Sequence, residues 1–93
     1  MYIKKAVITN RLGIHGRAAA TFTHVASQFD SHVFVERADD ALKKANAKSI
    51  VFLLALCLNQ NDEIIISAEG PDEEQAVNAL IDCLQNLAIE EEK

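Results

Sequence analysis

The chain has 93 residues, of which 49% are hydrophobic and 25% charged, and its formal net charge is −5. That length fits one domain and not two, and the apolar content sets disorder aside because it is enough to build a core. The acidic balance argues against a nucleic-acid binder, which carries a basic surplus, although Arg11, Arg17, Lys43, Lys44 and Lys48 are the material for a local basic patch.

Cys57 and Cys83 stand in apolar surroundings without a Cys-x-x-Cys pattern. They read as two buried free thiols in a reducing compartment. The first ten residues, "MYIKKAVITN", lack the apolar stretch and small-residue cleavage site of a signal peptide. The longest apolar run, "IVFLLALCL" at residues 50–58, is far short of the ~20 residues that cross a bilayer. A cytoplasmic protein with no membrane insertion is expected.

"YIKKAVIT" places Tyr2, Ala6 and Ile8 on one face and reads as a first strand. "NRLG" follows as a turn. From Gly16 to about Gln28 the residues favour a helix, with Ala19, Phe22, Ala26 and Phe29 as its apolar stripe. "HVFVER" predicts a second strand with Val33 and Val35 inward. "ADDALKKANAK" holds neither Gly nor Pro, and both a short strand and a helical turn around Asp40–Lys44 fit it. Ser49 reads as an N-cap, its hydroxyl accepting a bond from a first-turn amide, so a short helix is expected from there. That helix is apolar nearly all round, and in so small a domain part of it should remain an exposed sticky patch.

"EIIISAEG" is rich in β-branched residues and predicts a strand ended by Gly70. "PDEEQAVNALIDCLQNLA" predicts the longest helix. Pro71 fits an early position, and Asp72, Glu73 and Glu74 suit the positive end of the helix dipole. Ala76, Leu80, Cys83, Leu84 and Leu87 form its buried stripe. "IEEEK" puts acids at the opposite end, so residues 89–93 are expected to fray. The order β-α-β-(β)-α-β-α, with no repeat or linker, suggests one α+β domain over residues 1–93, with helices on one face of a mostly antiparallel sheet.

"GIHGRAAATF", residues 13–22, carries the chemistry. A helix N-terminus offers unpaired amides and about half a positive charge, which suits phosphate. His15 sits just before such a terminus. Gly16 lets the backbone approach closely, Ala18 and Ala19 leave the amides uncovered, and Arg17 adds a charge-assisted clamp on phosphoryl oxygens. A free imidazole titrates near ~6.5, and nearby positive charge favours its neutral, nucleophilic form. His15 is therefore a candidate for accepting and returning a phosphoryl group, bound by the amides of Gly16, Arg17 and Ala18. From spacing alone, a lone histidine beside a turn is more often an ordinary polar residue, and the motif is too short to be specific by itself.

Three segments in order, "LGIHGRAAA", "AKS" with its apolar follow-on at residues 47–56, and "ISAEGPDEEQAV" at residues 66–77, resemble the histidine-containing phosphocarrier HPr family of the bacterial phosphotransferase system. The resemblance covers roughly residues 6–88. It implies an open-faced β-sandwich with three helices on a four-stranded antiparallel sheet. It implies a phosphoryl carrier rather than an enzyme, without cofactor or metal. Phospho-enzyme I, which draws on phosphoenolpyruvate, would phosphorylate His15 on Nδ1, and the group would pass to a histidine of an enzyme IIA in sugar uptake or its regulation. Arg17 is carried over as the phosphoryl clamp, and the helix from Ser49 as the docking surface, with Val51, Phe52 and Leu54 as contact candidates. Such contacts should be reversible, on an expected monomer.

The chain departs from the family pattern in four places. Ala18 stands where many members have Pro, and Gly16 where Ala or Thr is frequent. The segment between Glu36 and Ser49 is about three residues longer than usual and lacks the turn glycine. The docking helix is more apolar than most, with Phe52 and Leu53 where a polar or basic residue is frequent. These leave open a nitrogen-branch or specialised paralogue that acts by phosphorylation-dependent protein binding. Ser49 is a candidate for phosphorylation by a regulatory kinase, against its reading as a simple N-cap. His24 and His32 do not make a metal spacing with His15, and Phe22 and Phe29 read as core.

Overall fold

The computed structural model describes residues 1–91. The elements run β1 (Tyr2–Val7), α1 (Gly16–Ser27), β2 (His32–Arg37), β3 (Asp40–Asn46), α2 (Ile50–Ala55), β4 (Glu63–Glu69) and α3 (Glu73–Glu91). The strands form one antiparallel sheet in the order β1-β4-β2-β3. This is the expected open-faced α+β sandwich.

Period-two alternation sets the two faces of the sheet. Ile64, Ile66 and Ala68 of β4, with Val33 and Val35 of β2, point to the helices and are fully buried. Tyr2, Lys4 and Ala6 pair with Ala68, Ile66 and Ile64 on that same side, and Lys4 Nζ donates to Asn78 Oδ1 of α3 at 3.0 Å. Ala19, Phe22 and Ala26 of α1 close the core with Ala76, Val77, Leu80, Leu84 and Leu87 of α3. Phe29 lies just beyond the end of α1 and is half-buried against the same cluster.

The ambiguous 38–48 segment is a strand, not a helical turn, over Asp40–Asn46. Its turn needs no glycine because a bulge between Glu36 and Arg37 shifts the register, and Arg37 grips Asp39 from inside the turn at 3.0 Å. β3 is a sheet edge, and its exposed Lys43 and Lys44 discourage edge-to-edge pairing. Lys44 lies over the Phe34 ring on the outer face, while Lys48 donates to the Phe29 carbonyl at 2.7 Å. Lys44 and Lys48 thus serve separate local contacts.

Four expectations are corrected. Ser49 is the N-cap residue of α2, but its hydroxyl makes no capping bond. Its carbonyl accepts the Leu53 N–H at 3.0 Å, the ordinary first bond of the helix. Pro71 lies in the turn before α3, and the Asp72 carboxylate reaches across to the Asp30 and Ser31 amides rather than to its own helix. Cys57 is exposed, at the end of α2 with φ 52°, so of the two free thiols only Cys83 is buried. Finally, residues 89–91, expected to fray, are helical. They continue α3, because the Glu91 carboxylate finds donors on the 10–12 loop; residues 92 and 93 lie outside the described part.

Candidate functional site

The loop between β1 and α1 is fastened from three directions. Ile8 is fully buried just beyond β1. Asn10, also buried, donates through Nδ2 to the Gly13 carbonyl and to Glu91 Oε2, each at 2.7 Å. Ile14 is buried and gives its amide to the Leu58 carbonyl at 2.9 Å. This lays the loop directly on the segment between α2 and β4.

Glycine is required at Gly13. Its φ is +72°, and a Cβ there would stand 2.6 Å from the Leu58 carbonyl oxygen and 3.2 Å from His15 Cδ2. Gly16 has φ +51° with open space around it, so a side chain there would meet backbone strain but no clash. A non-glycine residue would be strained at that point, and Gly16 adopts the turn into α1 freely.

His15 is the N-cap residue of α1, with extended backbone and an exposed ring. Its Nε2 lies 2.8 Å from Asn59 Oδ1. Of the three amides expected to bind a phosphoryl group, Ala18 does not offer a free one: it donates to the His15 carbonyl at 3.1 Å in a tight first turn. Gly16 and Arg17, among the described residues, have no backbone acceptor and remain open. Arg17 lines a shallow concavity with His15, Leu12, Leu87, Glu90 and Glu91. Its guanidinium enters none of the ion pairs among the described residues, which use Arg37, Lys5 and the N-terminus.

α2 divides its apolar residues. Leu53, and Leu56 just past its end, face the core, whereas Val51 is 70% and Phe52 63% exposed, with Leu54 and Ile50 also outward. Leu12 adds a further exposed side chain on the His15 loop. His24 meets Gln28 on the outer face of α1, and His32 is exposed at the start of β2, so neither approaches His15.

Two site residues were missed by sequence reasoning. Asn59 lies 44 positions from His15 and belongs to "NQND", which reads only as a helix breaker. Glu91 belongs to a segment whose charge pattern predicts fraying. Neither has a periodic signal; the turn dipeptides around Asn59 give the only hint that its amide is free for another partner.

The same fold recurs in known proteins. A family model described as the PTS HPr component phosphorylation site matches residues 3–86. Phosphocarrier protein HPr of Treponema pallidum (strain Nichols) is 37% identical over 91 residues, covering 98% of this chain and 100% of that protein. The HPr-like protein Crh of Halalkalibacterium halodurans is 37% identical over 81 residues, covering 87% of this chain and 93% of that one. A crystal structure of HPr from Thermoanaerobacter tengcongensis superposes with a TM-score of 0.87 at 39% identity, covering 95% of this chain and 96% of that chain. With its fold and the matched phosphorylation-site segment in common, the chain belongs to the HPr family and is a phosphocarrier protein of the phosphotransferase system, not an enzyme.

Proposed function

We propose that His15 accepts a phosphoryl group on Nδ1 from phospho-enzyme I and returns it to a histidine of an enzyme IIA, in the cytoplasm and as a monomer. The observation that carries this reading is the position of His15 at the N-terminal end of α1, beside the open amides of Gly16 and Arg17. The neutral ring supplies the nucleophile. The two amides and the Arg17 guanidinium then stabilise the phosphoryl oxygens. Val51, Phe52 and Leu54 supply an apolar contact surface suited to two partners in turn.

A second reading has some support from the likeness to Crh, which equals that to HPr in identity. In it, phosphorylation of His15, or of Ser49 by a kinase, sets the affinity of α2 for a regulatory partner.

The test follows intact mass after incubation with phosphoenolpyruvate, magnesium and enzyme I. One acid-labile phosphoryl group is expected on the protein and none on His15→Ala. No gain with an active enzyme I would overturn the carrier reading. Transfer onward to an enzyme IIA separates the carrier from the regulatory protein. Arg17→Ala should slow transfer and leave the fold intact, and an unchanged rate would remove the clamp.

A further inference from the structure

We infer that Asn59 is a positioning residue for phosphoryl transfer, holding the His15 ring with its proton on Nε2 and its lone pair on Nδ1; this deepens the carrier reading and rests on it. The orientation of the Asn59 amide follows from its partners. Asn59 Nδ2 is 3.3 Å from the Cys57 carbonyl, which can only accept, so the amide nitrogen faces that way. The oxygen Oδ1 is left facing His15 Nε2 at 2.8 Å. An amide oxygen only accepts, so Nε2 must donate, and the ring's remaining proton-free nitrogen is Nδ1.

Asn59 is itself held from the sheet. Its backbone N–H donates to Asp62 Oδ2 at 2.8 Å, and the same oxygen takes Arg37 Nη1 at 3.2 Å. Arg37, on β2, also donates to the Leu56 and Cys57 carbonyls. The 56–62 segment is thereby fixed to the sheet, and Ile14 is bonded to Leu58 within the same segment. Asn59 and His15 are both referred to one rigid frame, which is what a positioning contact needs.

The electron count is simple. The Nδ1 lone pair forms the new N–P bond while the N–P bond of the donor phosphohistidine breaks, its pair remaining on the donor nitrogen. Nε2 keeps its proton, so positive charge develops on the His15 ring. Asn59 Oδ1 already accepts from that N–H and its bond strengthens as the charge grows. On return of the group the charge is released and the same tautomer is restored.

The test uses the full chain labelled with ¹⁵N, reading the ring nitrogens of neutral His15 by long-range ¹⁵N–¹H correlation, with His24 and His32 as internal references. The native protein should show an Nε2–H ring at His15. Asn59→Leu should move His15 toward a mixture of both tautomers, leave the references unchanged, and slow phosphorylation by enzyme I about three- to tenfold, the worth of one neutral hydrogen bond. Asn59→Asp, which keeps an acceptor, should restore the Nε2–H form and much of the rate. An Nδ1–H ring in the native protein overturns the assignment without any variant. An unchanged tautomer in Asn59→Leu overturns it whatever the rate does. Native protein that shows the Nε2–H ring but takes no phosphoryl group would instead fail the carrier reading alone.

Discussion

The Glu91 carboxylate accepts the Leu12 amide at 2.8 Å through Oε1, while its other oxygen takes Asn10 Nδ2. The last described turn of α3 therefore fastens the loop that leads into His15. An acid at a helix C-terminus costs about 0.3–1 kcal/mol against the dipole. Hydrogen bonds to a charged acceptor contribute about 1.5–3 kcal/mol each, so the two contacts outweigh that cost.

Glu91→Ala should therefore destabilise the protein by about 2 kcal/mol or more, because it removes both bonds and leaves the buried Asn10 Nδ2 with only the Gly13 carbonyl. Amide hydrogen exchange provides the local reading, with Leu12 losing protection first. Unchanged exchange at Leu12 would mean that α3 does not hold the loop.

Cys57 is expected to gain from replacement by glycine. Its φ of 52° places a side chain in the left-handed region, which costs roughly 1–2 kcal/mol for an L-residue. Glycine removes that strain but adds about 0.4–1 kcal/mol of unfolded-chain entropy. Cys57→Gly should stabilise by about 0.5–1 kcal/mol in urea unfolding and remove the exposed thiol. A loss of stability would show that the thiol makes contacts worth more than the strain.

Phe52 and Leu53 are neighbours with opposite roles. Phe52→Asp should change stability by no more than about 0.5 kcal/mol, since the side chain is mostly in water, while weakening binding to enzyme I measured by titration calorimetry. Leu53→Asp should unfold the protein, because a charge would be buried without a partner. Undiminished binding by a folded Phe52→Asp would place the docking surface elsewhere.

The contrast between these two residues marks where the sequence is informative. α1 and α3 are legible because Ala19, Phe22 and Ala26, and Ala76, Leu80 and Leu87, recur at helical spacing. β4 is legible from its β-branched run. His15 with Arg17 is legible because a helix start, a glycine and two functional side chains coincide. β3 is not, since it is an edge strand in which only Ala45 is buried, and Lys43 and Lys44 on it obey no pattern of burial. The Asn59 and Glu91 contacts join residues 44 and 79 positions away, and only the closed fold brings those groups together. The missing cap bond at Ser49 shows the converse: residue type allowed the contact and the local backbone did not use it.

Acid should test the Ser31–Asp72 connection. The Ser31 hydroxyl, followed by the Asp30 amide, holds the Asp72 carboxyl below the ordinary carboxylate range. At Asp62 the Asn59 amide is the leading cause of the same downward shift, with Arg37 adding to it. A folded-state value below the unfolded one means that the unfolded chain binds more protons in the window between them, so stability rises with pH there. The contribution is fully present above the ordinary carboxylate value of about 3.9 and is lost as pH falls through the folded values. Urea midpoints should accordingly hold steady down to about pH 5 and drop toward pH 3. Asp72→Asn should lower the midpoint near neutrality and flatten the acid limb, because the titrating partner is gone. An acid limb as steep as that of the native protein would assign the proton uptake to other carboxylates and leave Asp72 a simple acceptor for Ser31.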